Sequence, residues 1–151
     1  MRGTITYPAT INQTAAHGPF EVYLALVLDT HSNGAQLNSE DVFTVAAAKK
    51  KLWINAFRDM TQVERYKVLW AKRFHEEHPP ITYDGTNIEI GASSVPFEIY
   101  VNLKGLPVSF KANGGTIADI VDNSLHLIAI PAFSTIQHPT IMYQARLRFR
   151  G

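Results

Sequence analysis

Along most of the chain, apolar and polar residues alternate with period two, the spacing of strands rather than helices. Gly3–Tyr7 alternates Thr with apolar residues, and Pro8 ends it. Phe20–Leu28 is almost wholly apolar and β-prone, the pattern of a strand buried on both faces. Asp29–Gly34 is a turn cluster carrying Asn33-Gly34. Arg65–Phe74 reads as a strand with Tyr66, Val68, Trp70 and Lys72 on one face; a helix over 60–76 is the rival reading, set aside because the other strands need partners. Asp84-Gly85 marks the tip of a small hairpin between Thr82 and Ile90. Phe97–Leu103 alternates cleanly, Pro107–Phe110 is a short strand, Asn113-Gly114-Gly115 is a turn, and Ser124–Ile130 is another strand. Thr140–Arg150 is the most legible: Ile141, Tyr143, Ala145, Leu147 and Phe149 form one face, expected in the core. Helical signals are confined to Asn38–Asp41, where Ser39 is the expected N-cap of one or two turns burying Val42, Phe43 and Ala46. A long loop through the lysines is expected to follow. Strands of this length between long loops predict an all-β antiparallel sandwich with one short helix in a long loop.

Composition narrows the function classes. The 151 residues, 46% of them hydrophobic, suit a single domain over 1–151 with its own core. With no cysteine there is no disulfide, thiolate metal site or thiol nucleophile. The longest apolar run, Val22–Leu28, is far short of the roughly 20 residues of a helical membrane span, and no membrane partner is expected.

The net charge is only +1, but its distribution is uneven. Lys49, Lys50, Lys51, Arg58, Arg65, Lys67, Lys72 and Arg73 fall in one stretch against Asp59 and Glu64, and Arg146, Arg148 and Arg150 close the chain on the polar face of its last strand. Such residues neutralise phosphates without reading sequence. Lys49, Lys50, Lys51, Arg65, Lys67, Arg146, Arg148 and Arg150 are therefore the candidate nucleic-acid contacts. Trp53, Phe57 and Trp70 interleave with them and could stack on bases, though core or interface packing is the simpler role.

Catalytic chemistry finds little support. His75-Glu76-Glu77-His78 spaces its histidines three apart, not the four of a helical metalloprotease motif, and a polar strand end before Pro79-Pro80 accounts for it. His126 reads as a satisfied interior histidine. Asp119 and Asp122 read as turn formers rather than calcium ligands. No nucleophile elbow or phosphate-binding loop is present, and neither enzymatic activity nor a cofactor or metal is expected.

Several segments in order carry a family resemblance: Arg2-Gly3-Thr4-Ile5; Leu24–Asp29 followed by Asn33-Gly34; Arg65–Leu69; Gly114–Ile120; Asn123–Ala129; and Pro139–Phe149. The chain resembles the single jelly-roll capsid proteins of small circular single-stranded DNA viruses, a group similar to satellite tobacco necrosis virus coat protein. The resemblance implies a jelly roll of two four-stranded sheets, B-I-D-G and C-H-E-F. It letters 2–7 as C, 21–28 as D, 66–74 as E, 97–103 as F, 107–110 as G, 124–130 as H and 140–150 as I. It also implies self-assembly into a closed icosahedral shell, commonly of sixty subunits, around single-stranded DNA held by non-specific phosphate contacts. The basic residues named above would face the lumen, in a virion assembled in the host nucleus or cytoplasm. The family's arginine-rich arm and first strand, B, are expected to be missing here, because the chain begins at the segment that follows them. The alternative class is a cellular β-sandwich carbohydrate-binding module, with Trp53, Trp70 or Tyr83 stacking on sugar rings.

Overall fold

The computed structural model describes residues 1–7, 10–12, 21–44, 54–75, 81–83, 87–90, 94–131 and 139–148. Within these the fold is mostly β. In chain order the strands are β1 (Arg2–Thr6), β2 (Thr10–Asn12), β3 (Glu21–Asp29), β4 (Tyr66–His75), β5 (Ile81–Tyr83), β6 (Asn87–Ile90), β7 (Ser94–Glu98), β8 (Ser109–Phe110), β9 (Ile120–Asp122), β10 (Ser124–Pro131) and β11 (Thr140–Gln144). One short helix, α1 (Ser39–Val42), and two single-turn 3₁₀ segments, Met60–Gln62 and Ile117–Asp119, lie between strands. The chain divides into two compact units: Met1–Tyr23, Arg73–Tyr100 and Pro131–Arg148 form the first; Leu24–Lys72, Val101–Ile130 and Phe149–Gly151 form the second.

The first unit holds two antiparallel sheets of three strands. In one, β1 lies between β11 and β7. Its register sets Arg2 opposite Gln144 and Glu98, Gly3 opposite Tyr143 and Phe97, Thr4 opposite Met142 and Pro96, Ile5 opposite Ile141 and Val95, and Thr6 opposite Thr140 and Ser94. Residues directly opposite one another share a face, so odd-numbered residues form one face and even-numbered residues the other. Ile5 and Phe97 on the odd face are buried, and the Phe97 ring packs tilted against Phe74 with centroids 6.0 Å apart. The other sheet places β6 between β2 and β5. The hairpin expected between Thr82 and Ile90 is there as β5 and β6, paired from Ile81↔Ile90 to Tyr83↔Ile88. No strand was expected at β2, because three residues are too few to show a period.

In a third sheet β3 lies between β10 and β4. From Leu24 to Leu28 every residue of β3 is buried, as its apolar run predicts, and so is Asp29, while Glu21 and Tyr23 are half-buried. Burying each large aliphatic side chain contributes about 1.5–3 kcal/mol relative to leaving it in water, which makes β3 the main anchor of the second unit. Beyond it the Asn33-Gly34 turn forms with both residues at positive φ, 48° and 74°. Its amides donate to the carbonyls of Val121 and Ile120. A Cβ at Gly34 would lie 2.6 Å from the Ala118 carbonyl oxygen, so this turn needs glycine for space as well as for conformation. β8 and β9 form a separate two-stranded ribbon.

Several expectations need correction. The N-cap of α1 is Asn38, whose side chain accepts from the Glu40 amide; Ser39 is the first helical residue. Val42 and Phe43 are buried as expected, while Ala46 lies outside the described residues. The ladder of the Phe97–Leu103 segment lies earlier, at Ser94–Glu98, although Phe97 and Ile99 are buried and Glu98 and Tyr100 exposed. Period two reports alternating burial, and a chain can alternate without cross-strand pairing. The final strand stops at Gln144, and its apolar face is not in a core: Tyr143 is 54% and Leu147 55% exposed. Finally, the lettering carried by the resemblance does not hold. It would set β1 (as C) beside β10 (as H) and β3 (as D) beside β11 (as I); instead β1 neighbours β11 and β7, and β3 neighbours β10 and β4.

Candidate functional site

In the first unit the chain leaves β11 through Ala145–Arg148, all exposed. Arg146 and Arg148 are two residues apart and both reach solvent, as phosphate contacts require. Arg150 lies outside the described residues, as do Lys49, Lys50 and Lys51.

In the second unit Arg65 and Lys67 differ in circumstance. Lys67 is exposed on β4. Arg65 spans the carboxylate of Asp29: Nε donates to Oδ1 at 3.0 Å and the terminal nitrogen to Oδ2 at 3.1 Å. Its guanidinium also lies 4.8 Å from the centre of the Tyr66 ring. The bond to Asp29 holds the Arg65 pKa above its usual value, with burial working the other way. Asp29 is fully buried and also accepts from the His31 amide at 3.0 Å. This fork geometry is what a guanidinium offers a carboxylate, and it occupies two of the Arg65 donors. The two described pairs, Arg146 with Arg148 and Arg65 with Lys67, belong to different units.

The same unit contains a buried polar chain that sequence reading missed. Ser32 Oγ and Ser124 Oγ are 2.6 Å apart, and Ser124 Oγ lies 2.6 Å from His126 Nε2. The Ser124 amide donates to Ser32 Oγ at 3.3 Å, and Ser32 Oγ reaches the Asp29 carbonyl oxygen at 3.4 Å. Ser32 has one hydroxyl proton: given to the Asp29 carbonyl, it leaves Ser124 to donate to Ser32 and His126 Nε2–H to Ser124; given to Ser124, it reverses the chain toward His126 and releases the Asp29 carbonyl. A serine 2.6 Å from a histidine resembles a nucleophile and base, but both serines are buried and their hydroxyls are engaged with one another. The chain ties β10 to the end of β3 and its turn. It gave no sequence signal because its members are 92 residues apart. Of the satisfied interior histidine expected at 126, the hydrogen bond is present, but the residue is half-buried rather than interior.

Burial lowers the His126 pKa, partly opposed by the Asp29 charge. The folded protein therefore binds this proton less readily than the unfolded chain. Its contribution to stability is present above the unfolded histidine value near 6.5 and is lost as pH falls below it. Stability measured by urea unfolding is expected to fall between pH 7.5 and 5.5, and His126→Gln should flatten that slope. An unchanged slope in the variant would assign the acid sensitivity elsewhere.

His75 pairs with Glu21, Nδ1 to Oε1 at 3.2 Å, while Glu76, Glu77 and His78 lie outside the described residues. Among the described residues no cluster of His, Asp and Glu could hold a metal ion, and no helix is long and apolar enough to cross a membrane. Asp119 is a turn former: Oδ2 accepts from the Thr116 amide at 3.0 Å and hydroxyl at 2.9 Å. Those bonds hold its carboxyl below the usual range. Of the aromatics named from sequence, Phe57 is 83% exposed and Trp70 half-buried; Trp53 lies outside the described residues, as does the side chain of Tyr83. Comparison with protein-family models, curated proteins and solved structures finds no match to this chain.

Proposed function

We propose that this chain is a jelly-roll capsid subunit that assembles into a small closed shell around single-stranded DNA. The observation that carries the reading is the order of strands in two of the three-stranded sheets. Letter β1, β3, β4, β7, β10 and β11 as D, E, F, G, H and I, simply in chain order. The sheet β11-β1-β7 then reads I-D-G, and the sheet β10-β3-β4 reads H-E-F. Both are contiguous runs of the jelly-roll sheets B-I-D-G and C-H-E-F. The remaining strands fall in connections: β2 between D and E, β5 and β6 between F and G, and β8 and β9 between G and H. B and C have no counterpart among the described strands, and their places in the jelly roll are the outer sides of β11 and β10. The family resemblance points to the same fold class, although it letters β1, β3, β4 and β7 one strand earlier than this order requires.

On this reading shell closure comes from heterologous contacts that close by symmetry, and the genome is held by charge rather than base recognition. Exposed Arg146 and Arg148 in one unit and Lys67 in the other are the described residues proposed to contact phosphates; Lys49, Lys50, Lys51 and Arg150, proposed for the same role, lie outside the described residues, and Arg65 is engaged with Asp29.

The test is particle size by light scattering and negative-stain imaging, with and without single-stranded DNA. Uniform closed shells are the expected result; a protein that stays monomeric with DNA present overturns the reading. In parallel, replacing both Arg146 and Arg148 by Gln should flatten the salt dependence of single-stranded DNA binding. Each phosphate that an arginine neutralises adds roughly 0.7 to the steepness of log K against log salt, so the double variant should be shallower by about 1.4. A slope unchanged by the double substitution would remove these arginines from the DNA interface.

A further inference from the structure

β11 is an edge strand. In the order β11-β1-β7, one side of β11 bonds β1 and the other has no strand partner among the described residues. An edge presents unpaired N–H and C=O groups, and proteins commonly blunt such edges with proline or charge. The opposite edge of this sheet is blunted so: β7 carries Pro96, which has no N–H, and Glu98. Thr140–Gln144 contains neither proline nor charge, and it exposes Met142 (67%) and Tyr143 (54%). Among the described residues, one edge is protected and the other is open.

We propose that the open edge of β11 pairs antiparallel with β11 of a second copy of this chain, about a two-fold axis at Met142. This register places Met142 opposite Met142, Ile141 opposite Tyr143 and Thr140 opposite Gln144. Every such pair is uncharged, and the exposed Tyr143 gains a β-branched neighbour on its own face, a favourable cross-strand combination. The fit extends across both sheets. One polar row of this sheet, Glu98-Arg2-Gln144, continues into Thr140-Thr6-Ser94 of the second copy. The odd-face row Val95-Ile5-Ile141 continues into Tyr143-Gly3-Phe97 of the second copy. Charge selects the antiparallel direction. Arg146 and Arg148 follow one end of β11, so antiparallel pairing sends the two sets of arginines to opposite ends, whereas parallel pairing would align them. The occupant is therefore the strand itself, and an isologous contact of this kind closes at two copies.

The inference stands on this sheet alone and does not need the capsid reading. Sedimentation velocity of the full chain over a concentration series counts dimers, whether or not larger particles form beside them. The wild-type protein is expected to move from monomer to dimer as concentration rises. Met142→Lys and Met142→Glu, at an exposed position that either side chain can occupy without disturbing a core, should each weaken dimerisation at least tenfold. Mixed in equal amounts they should dimerise again, because opposite charges then meet at the two-fold axis. A wild-type protein monomeric at every concentration overturns the proposal, and so does a Lys variant that dimerises like wild type or a mixture that stays monomeric. Dimers without shells would retain the proposal and remove the capsid reading. Shells from subunits indifferent to both substitutions would do the reverse.

Discussion

Asp29→Asn is expected to cost about 2–3 kcal/mol of folding stability, although it only replaces one oxygen by an NH₂ group. Asp29 is fully buried at the end of β3, and its carboxylate accepts from both arms of Arg65 and from the His31 amide. All three partners are donors. An asparagine offers one oxygen and one NH₂, so at least one N–H would face another donor, and the arginine would lose its counter-charge. Breaking one partner of a buried ion pair typically costs 3–5 kcal/mol. Arg65 is about a third exposed, so water replaces part of what it loses, and the lower figure applies. The effect extends beyond the pair, because the same turn positions Ser32 against Ser124 on β10. In urea the unfolding midpoint should fall by about 1–2 M with the slope unchanged. Replacing both partners, as in Asp29→Leu with Arg65→Met, should cost less than Asp29→Asn alone, because no uncompensated charge remains. A midpoint within about 0.3 M of wild type for the single variant would show that this ion pair does not hold the turn.

This ion pair also marks where sequence reading stopped. Phe20–Leu28 read as a strand buried on both faces because an apolar run has few other uses, and this holds for Leu24–Leu28, with Glu21 and Tyr23 half-buried and Phe20 outside the described residues; Asn33-Gly34 declared its turn because both residues tolerate positive φ. Arg65 looked like one more cation in a basic stretch. Nothing in its neighbours shows that Asp29, 36 residues away, claims its guanidinium, since a side chain's partner depends on which strands lie side by side. Register has the same invisibility. The alternation of Thr140–Arg150 indicated a strand, which holds only as far as Gln144, and the same alternation suggested a buried face; burial depends on what lies beyond the edge, which the strand's own sequence does not encode. The basic residues were legible as a composition, but whether Arg146 and Lys67 act together is a matter of tertiary placement.

Gly3→Val is expected to disrupt the β11-β1-β7 sheet, with a loss of about 3 kcal/mol, and Gly3→Ala to cost about 1–3 kcal/mol, the range for overpacking a close-packed site. Gly3 lies opposite Tyr143 on one side and Phe97 on the other. A Cβ there would sit 2.4 Å from the Met142 carbonyl oxygen, 2.6 Å from Phe97 Cζ and 2.8 Å from Cε1. The Phe97 ring is covering a glycine across the strand pair, a device that lets an aromatic compensate for a missing side chain. The two obstacles respond differently. The ring can be shortened, so adding Phe97→Leu should recover part of the loss. The Met142 carbonyl belongs to the backbone, and it moves only if β11 moves, so the remainder should persist in the double variant. Valine adds two methyl groups at this point and leaves β11 no paired position. Amide hydrogen exchange would read this directly: protection at Thr140–Gln144 should fall in Gly3→Ala and more so in Gly3→Val, while the buried run of β3 changes far less. If Gly3→Ala proved as stable as wild type, β1 and β11 could not be as close as this register requires. The open edge would then lose its support too, since a strand held loosely by β1 cannot present a fixed row of donors and acceptors to a second copy.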